Sequence, residues 1–440
     1  MGLLTFKGGI HPPDSKGYSE KEAIKEIYPE VGAKLVFPMH QHIGAPCEPT
    51  VAKGERVLIG QKIGEAKGYV SAPVHSSTSG MVVDVVPWLT PNGSMVQSVV
   101  VERDGKAEDH PDIGKHSDYT TLSRERMLEM IKEAGIVGQG GAGFPTHVKL
   151  NPPPEKKIEY FILNAAECEP YLTTDHRVLL EEPDEIVRGV QMILHMFPEA
   201  KGFIGIESNK PDAIKLLTEK CKDIPRISVV GLQTKYPQGA EKQLIYACTG
   251  REVPSGGLPA DVGCIVNNVD TIIAIERAIE RGRPISRRVV TVSGKAAANP
   301  GNYKVRLGMT FADLLKAVGG FKEEPYKLVA GGPMMGMAMY TLDVPIIKTS
   351  GAILCLTKDE CEIPPEKSCI RCARCVNICP SRLMPLVLNA NVVHLEFDNF
   401  KKNNGVDCIE CGSCSYVCPA KRHLAQSIRY ARRQVLAKKV

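Results

Sequence analysis

The sequence predicts a multidomain protein with a β barrel-sandwich, an α/β domain, a small α+β module and a cysteine-rich module, in that order. Its 440 residues exceed what a single hydrophobic core normally holds. Short β-branched runs between Gly and Pro residues give way, near residue 120, to strands that alternate with helices. Two closely similar cysteine runs lie near the C-terminus.

The composition is that of a globular protein without a membrane span. Hydrophobic residues make up 43% and charged residues 24% of the chain. No stretch approaches the roughly 18 apolar residues that a spanning helix needs. The N-terminal arm, residues 1–30, begins MGLLTFKGG and lacks the apolar segment of a signal peptide, which argues against an oxidising compartment. A net charge of +5 is too small to indicate nucleic-acid binding.

Residues 31–105 are predicted to form the small β barrel or sandwich. Runs rich in Val and Gly are separated there by turn residues. The stretch VAKGERVLIGQKIGEA resembles the biotinyl/lipoyl-type barrel-sandwich fold, whose members carry a cofactor on a Lys at a hairpin tip. The corresponding APVHSSTSG has no Lys, so we infer no swinging arm and interpret His75 as a turn residue rather than a ligand.

Residues 120–285 are predicted to form an α/β, Rossmann-like domain with a mainly parallel sheet. Buried strands are expected at 158–165, 203–207 and 226–232, with helices between them and a first helix at Leu122–Ala134. Ligands of such sheets bind beyond the carboxyl ends of the strands. The polar loops at those ends are therefore the candidate binding site.

Residues 286–350 are predicted to form an α+β module of β-grasp (SLBB-like) type. Their pattern is strand, turn, strand and helix, with Thr310 as the helix N-cap and Gly319-Gly320 at its end. The segment GGPMMG, residues 331–336, is predicted to be a tight loop.

Both cysteine runs have the spacing Cys-x-x-Cys-x-x-Cys-x-x-x-Cys-Pro. They comprise Cys369, Cys372, Cys375 and Cys379, and then Cys408, Cys411, Cys414 and Cys418. Bacterial two-cluster ferredoxins have this spacing, and the fourth Cys of each run binds the other cluster. We therefore predict a ferredoxin module at 360–420 with two [4Fe–4S] clusters, in which Cys418 joins the first three thiolates and Cys379 the second three. Zinc is the main alternative, although it usually binds two separated ligand pairs.

The tail, residues 421–440, is predicted to be a basic helix. It has seven Lys or Arg and no acidic residue, and Leu424, Ile428, Ala431 and Val435 recur at helical spacing. Two interpretations remain: a surface helix packed on the ferredoxin module, or a helix that docks on anionic lipid or an acidic partner.

Four polar loops are predicted to converge at the carboxyl edge of the α/β sheet. They are GQGGAGFPTHVK (138–149), NAAECEP (164–170), YPQGAE (236–241) and NNVDT (267–271). The glycines let backbone N–H groups approach an anion, a helix beginning near Thr146 would add its positive end, and Lys149 supplies a counter-charge. A Gly-rich segment alone is often only a mobile turn, but four such loops together favour a nucleotide-like ligand.

These four loops resemble those of the flavin- and NADH-binding subunit of respiratory complex I and of related hydrogenase and formate dehydrogenase subunits. The resemblance implies that FMN is bound by Gly138, Gly140, Gly141, Gly143, Phe144, Lys149, Asn164, Tyr236, Asn267, Asn268 and Thr271. It also implies that Glu167, Glu169 and Glu241 line the flavin and nicotinamide side as catalytic residues. An acidic residue of the family is Ala166 here, another is Ala240, and an aromatic is Leu150. These departures affect the NADH site more than the FMN site.

The order of all segments, with the opening KGGIHPPDSK, resembles the RnfC components of Rnf-type electron-transport complexes over nearly the whole chain. The resemblance implies a peripheral subunit on the cytoplasmic face of the bacterial cell membrane. It implies electron transfer between two [4Fe–4S] clusters, FMN and NAD(H) in a ferredoxin:NAD oxidoreductase that moves Na⁺ or H⁺, with integral membrane and ferredoxin-like subunits as partners. The alternatives are a flavin and iron–sulfur cobalamin reductase of a bacterial microcompartment, and a scaffold whose flavin site is vestigial.

Overall fold

The computed structural model describes residues 2–437, which form four β-sheets and a helical cysteine-rich module. Residues 438–440, the end of the predicted basic tail, lie outside the described residues. The strands are β1 Lys25–Glu26, β2 Lys34–Pro38, β3 Cys47–Pro49, β4 Arg56–Val57, β5 Lys62–Ala66, β6 Val74–His75, β7 Gly80–Leu89, β8 Met95–Arg103, β9 Tyr160–Ala165, β10 Lys201–Glu207, β11 Ile227–Leu232, β12 Cys264–Asn268, β13 Arg287–Ser293, β14 Gly301–Arg306, β15 Lys327–Ala330, β16 Met337–Met339 and β17 Ala352–Leu356. The helices are α1 Arg124–Glu133, α2 Thr146–Lys149, α3 Thr174–Glu181, α4 Pro183–Met196, α5 Pro211–Cys221, α6 Glu241–Thr249, α7 Val269–Arg281, α8 Phe311–Ala317, α9 Lys358–Cys361, α10 Arg374–Asn377, α11 Pro385–Val393, α12 Phe397–Lys402, α13 Ser413–Tyr416 and α14 Leu424–Ala437.

Two antiparallel sheets form the β barrel-sandwich near the N-terminus. Their strand orders are β2-β8-β7-β4 and β3-β5-β6. Alternate side chains of the strands point into one core, as the pleat requires, and its members are Leu35, Phe37, Met39, Cys47, Val57, Ile63, Val74, Val82, Val99 and Val101. His75 is not in a turn as predicted, because it belongs to β6 and is buried. Burial, and then the nearby Lys348 ammonium, lower the pKa of His75 well below its usual value.

The α/β domain contains a four-stranded parallel sheet in the order β11-β10-β9-β12. The strands predicted at 158–165, 203–207 and 226–232 are confirmed as β9, β10 and β11. Both faces of the sheet are covered: Phe161 and Leu163 pack in one core, and Ile162 packs in another on the opposite face. Since the strands are parallel, their carboxyl ends share one edge, and the polar loops lie along it.

The third unit is a six-stranded mixed sheet, ordered β1-β14-β13-β17-β15-β16, with α8 packed on it. The predicted cap of α8 is present, because the Thr310 side chain accepts a hydrogen bond from the Asp313 N–H. Two strands come from outside the segment expected for this module: β1 belongs to the N-terminal arm and β17 follows residue 350. The segment 331–336 forms the turn between β15 and β16, as predicted.

The cysteine-rich module is an internal repeat. Each cysteine run contains a one-turn helix, α10 or α13, and leads into a longer helix, α11 or α14. Equivalent positions share a left-handed backbone, with φ of 54° at Arg371 and 56° at Glu410. Equivalent backbone N–H groups also lie 3.4 Å from sulfur, from Arg371 to Cys369 Sγ and from Glu410 to Cys408 Sγ. The two runs therefore have nearly the same local geometry.

The helix α14 packs its apolar stripe against the module, as the first interpretation of the tail predicts. Leu424, Ile428 and Ala431 are buried, and Ile428 and Ala431 share a core with Leu388 and Phe400. Its arginines bind inward as well, because Arg429 Nε donates to Glu410 Oε2 at 2.8 Å. Nowhere between residues 2 and 437 is there a helix with the length and apolar character needed to cross a bilayer.

The N-terminal arm binds the other units together. Leu4 forms a bridge to Leu232 of β11, and the Gly9 N–H donates to the Ile378 carbonyl at 2.8 Å. Lys16 is only 3% exposed, and its ammonium donates to the carbonyls of Glu167, Glu169 and Leu172. A single buried cation of the arm therefore fixes the loop that follows β9.

We predict that Lys16→Met destabilises the protein by about 3 kcal/mol, because three carbonyls in a buried loop lose their charged donor. The arm should then be cut faster by a protease, and the midpoint of urea unfolding should fall. Lys21→Met, a change of the same kind at an exposed position of the same arm, is the control. Equal unfolding midpoints for both variants would show that the Lys16 contacts contribute nothing.

Candidate functional site

The carboxyl edge of the parallel sheet brings three of the four predicted loops into contact. The Lys149 ammonium lies 2.6 Å from Glu241 Oε1 and 2.9 Å from the Val266 carbonyl. Asn164, near the end of β9, donates to the Gly239 carbonyl at 2.8 Å. Lys149 and Glu241 are both partly exposed. They form an accessible ion pair beside the ends of β9 and β12.

The Gly-rich loop closes over this edge as a hairpin-like turn. Its base is held by a bridge from Val137 to Pro145 and by the Gly138 N–H, which donates to the Phe144 carbonyl at 2.9 Å. Its tip, residues 140–142, is exposed, and there the backbone N–H groups find no acceptor within residues 2–437. Unpaired N–H groups at a loop tip are suited to an anion. The helix expected after Thr146 is the single turn α2, so it adds little dipole.

Two asparagines at the end of β12 stand against this loop. Asn267 is buried, and its Nδ2 group has no hydrogen-bond acceptor in the described part of the chain. The Asn268 side chain caps α7 by accepting from the Asp270 N–H and donates to Asp175 Oδ2 at 2.8 Å. A Cβ on Gly140 would lie 2.9 Å from the Asn268 side chain, so Gly140 has to be glycine for the two to pack.

A buried arginine, Arg288, anchors the base of the loop. Arg288 Nη1 donates to Gln139 Oε1 at 2.6 Å and to Asp270 Oδ2 at 2.7 Å. The Gln139 N–H donates to Thr271 Oγ1 at 3.0 Å. Thr271 therefore holds the loop rather than facing outward. Sequence reasoning missed Gln139 and Arg288, since Arg288 belongs to the next module and no local pattern connects the two.

The structure does not place Glu167 at the Lys149–Glu241 pair. Its carboxylate caps α3, accepting hydrogen bonds from the Asp175 N–H at 2.6 Å and the His176 N–H at 3.3 Å. It is also almost fully buried, 3.8 Å from the Lys16 ammonium. Burial, followed by the neighbouring Glu167 and Asp270 carboxylates, raises the pKa of Asp175 well above its usual range. Glu167 thus supports the loop from behind.

Glu169 and Tyr236 face the ferredoxin module instead. Glu169 accepts hydrogen bonds from the N–H groups of Met334 and Met335, at 3.1 and 3.0 Å, and from the Tyr236 hydroxyl at 3.4 Å. Burial raises the pKa of Glu169 to about 7, although these hydrogen bonds oppose the shift. Tyr236 is 1% exposed and packs in one cluster with Cys411. Both residues therefore form the wall between the sheet and the second cysteine run.

A cavity inside the ferredoxin module, here called the inner cavity, is lined by Cys379, Cys408, Cys411 and Cys414. Burial, and then the neighbouring Cys411 and Cys379 thiols, raise the pKa of Cys408 to about 12. Cys375 is likewise close to Cys418, whose thiol adds to the effect of burial in raising the pKa of Cys375. The fourth Cys of each run thus lies with the other run. Four thiols around a cavity suit the several irons of a cubane.

The two runs differ in their surroundings. The inner run packs on the α/β domain, and a Cβ on Gly412 would lie 2.9 Å from the Met334 carbonyl. The equivalent residue of the first run is Ala373, and Cys369 and Cys372 beside it are exposed. We call residues 369–375 the outer loop. One thiolate set is therefore covered by the sheet-bearing domain and the other reaches the surface.

Four family models match this chain. They are described as the RnfC barrel sandwich hybrid domain at residues 4–106, the Nuo51 FMN-binding domain at 131–277, the SLBB domain at 289–338 and the 4Fe-4S dicluster domain at 368–423. All four modules of the predicted fold class are thereby confirmed.

Full-length relatives match as well. The chain is 52% identical, over 97% of its length and 93% of the relative, to the RnfC-type component of the proton-translocating ferredoxin:NAD(+) oxidoreductase complex of Clostridium ljungdahlii. It is 46% identical, over 99% of its length and 98% of the relative, to the corresponding component of the Na(+)-translocating ferredoxin:NAD(+) oxidoreductase complex of Acetobacterium woodii. Among solved structures, an air-oxidized NAD⁺-reducing [NiFe]-hydrogenase matches with a TM-score of 0.50 and 19% identity. That match covers 73% of this chain and 62% of the hydrogenase chain, and it supports the fold alone.

The modules and the matches define an iron–sulfur flavoprotein of electron transport. The exposed N–H groups, the unpaired Asn267 amide and Lys149 suit a phosphate-bearing flavin, and the paired thiol sets suit cubane clusters. The chain belongs to the RnfC family of ferredoxin:NAD⁺ oxidoreductase complexes.

We predict that Cys379→Ala damages the cluster of the second run, not that of its own run. The reason is that Cys379 lines the cavity with Cys408, Cys411 and Cys414. Iron analysis and electron paramagnetic resonance of the reduced protein should show loss of one cluster signal, matched by the signal lost in Cys408→Ala. If Cys379→Ala instead removes the signal lost in Cys372→Ala, the ligands do not cross.

Proposed function

We propose that this chain is the electron-exchange subunit of a ferredoxin:NAD oxidoreductase complex, and that it passes electrons between NAD(H), FMN and two [4Fe–4S] clusters. The observation that carries the proposal is one shared wall. The loop after β9 contributes Asn164 to the sheet edge and Glu169 to the contact with the second cysteine run. Two kinds of redox site thus lie on either side of a few residues.

The flavin site is proposed at the sheet edge. FMN accepts a hydride from nicotinamide and exchanges electrons singly with clusters, which is why both kinds of site belong on one chain. The free N–H groups of residues 140–142 and the Lys149 ammonium would hold its phosphate, and the Asn267 amide would donate to another acceptor of the cofactor. Gly138, Gly143 and Phe144 shape the loop that carries these donors.

Glu241 is the proposed carboxylate on the nicotinamide side. Of the three acidic candidates it alone is partly exposed at the sheet edge, paired with Lys149, whereas Glu167 and Glu169 are engaged elsewhere. Its pairing fixes the side chain beside the donors of the Gly-rich loop. Its role would be to orient a bound nicotinamide and not to move electrons itself.

The burial of the two thiolate sets supports an order of electron transfer. The inner cavity packs against Tyr236 and the wall of the flavin domain, and the outer loop faces solvent. We place the inner cluster next to FMN and the outer cluster next to a partner protein of the complex. Electrons cross short distances through packed protein, so the close contact at Gly412 and Met334 keeps the inner step short.

The chain is a peripheral subunit, and we place it on the cytoplasmic face of the cell membrane. NAD(H) is a cytoplasmic substrate, and eight thiolate ligands need a reducing compartment. The Na⁺ or H⁺ movement named for the relatives is assigned to integral membrane partners. A cobalamin reductase is not favoured, since both full-length relatives described above belong to ferredoxin:NAD(+) oxidoreductase complexes.

Anaerobically purified protein should contain one FMN and about eight irons per chain, as two cubanes require. Adding NADH should bleach the flavin absorbance, and cluster signals should then appear in electron paramagnetic resonance. Protein with full iron but no flavin would contradict the proposal and would leave a cluster-only scaffold. Flavin that NADH cannot reduce would contradict the nicotinamide assignment.

Lys149→Ala should weaken FMN binding about 30-fold, because a charge-assisted hydrogen bond contributes about 2 kcal/mol. The measurement is flavin per chain after gel filtration, with iron content unchanged. Lys157→Ala removes the same charge from an exposed position close in sequence and is the control. Full flavin retention in Lys149→Ala would place the phosphate elsewhere.

A further inference from the structure

The outer loop presents a positively charged surface around exposed thiols. Cys369 and Cys372 are exposed, and Ile370 between them is 68% exposed. Arg371 and Arg374 follow within the same loop and are exposed as well. The surface of this short loop is thus made of cluster ligands and cations, plus one apolar side chain.

Two lysines extend this surface. The Lys367 N–H donates to the Ala420 carbonyl at 2.9 Å, which places Lys367 beside Lys421 on the return segment. Neither lysine, nor Arg371 or Arg374, has an ion-pair partner among residues 2–437. The acidic side chain nearest in this segment, Glu366, is already paired with Arg422 at 3.4 Å. The surface therefore carries uncompensated positive charge.

The second run shows that this charge is not needed for the loop to fold. Glu410 occupies the position of Arg371, with the same left-handed backbone, and Ser413 occupies that of Arg374. Glu410 is bound within the molecule by Arg429 and Arg432, at 2.8 and 3.2 Å. The same geometry thus accepts an acid on the inner side. Arginines at the outer positions need another explanation.

We propose that the outer loop, with Lys367 and Lys421, docks an acidic iron–sulfur protein domain that delivers or removes single electrons. The proposal rests on the electron-exchange function above and names the kind of partner. Each encounter moves one electron between the partner's cluster and the outer cluster, without making or breaking a bond. Two encounters supply the two electrons that one hydride carries.

Protein rather than membrane is the occupant that the surface favours. Exposed cluster ligands at its centre serve a redox partner, which has to approach closely for electron transfer, and lipid headgroups carry no electrons. An interfacial membrane segment presents a stripe of apolar side chains, whereas this surface has the single Ile370 among its cations. Charge complementarity steers protein encounters and raises their rates at low salt.

The test uses the full-length protein with its cofactors and a small acidic bacterial ferredoxin as probe. Reduced ferredoxin is mixed with the protein at low salt in a stopped-flow instrument, and flavin reduction is followed. Arg371→Glu/Arg374→Glu should lower the second-order rate about 10- to 100-fold and flatten its dependence on salt. Calorimetry with oxidised ferredoxin should show weaker binding, a readout independent of turnover.

Lys401→Glu/Lys402→Glu changes the net charge equally on exposed residues of α12 and is the control. An equal slowing in both double variants, or none in the arginine variant, would overturn the proposal. So would unchanged ferredoxin binding together with loss of binding to phosphatidylglycerol vesicles. If the reversal of charge removes iron, Arg371→Ala/Arg374→Ala replaces it, with a smaller loss of rate expected. NADH-driven bleaching of the flavin should be normal in every variant, which separates a failure of docking from a failure of the proposed function.

Discussion

The buried ammonium of Lys16 is the interaction on which the arrangement of the redox sites depends. It binds three carbonyls of the loop between β9 and α3, and a second buried cation, Lys210, donates to the Ala166 carbonyl of the same loop at 2.7 Å. Backbone carbonyls that converge on a cation cannot rearrange without losing charged hydrogen bonds in a buried setting. The loop is thereby rigid, although it contains no regular structure.

The rigidity of this loop extends to both redox sites. On one side, Asn164 and Asp175 fix the ends of β9 and β12 through Gly239 and Asn268. On the other side, Glu169 holds the turn at Met334 and Met335, and that turn contacts the second cysteine run. The separation of a flavin from a cluster is thus set by hydrogen bonds to one short segment rather than by a flexible linker, and electron transfer does not depend on domain motion.

Local patterns in the sequence were sufficient for much of this structure. The cysteine spacing, the β-branched runs of β9 to β11 and the Thr310 cap each depend on neighbouring residues, and each was predicted. Contacts between distant segments were not. Arg288 binding Gln139, Lys16 binding the loop at 167–172 and β1 joining a sheet of residues 287–356 leave no periodic signal. The same limit explains Glu167 and Glu169: their motif was recognised, but the direction of each side chain depends on α3 and on the turn at 334.

The N-terminal arm also has a consequence for biosynthesis. Its residues leave the ribosome first, yet they bind Leu232, Tyr236 and Ile378, which are made much later. At bacterial rates of synthesis the arm waits on the order of 20 to 70 s for its last partner. During that interval the second cysteine run has not yet been enclosed between the arm and the sheet. Clusters can therefore be inserted before the arm closes, and assembly of this protein is timed by the order in which its chain emerges.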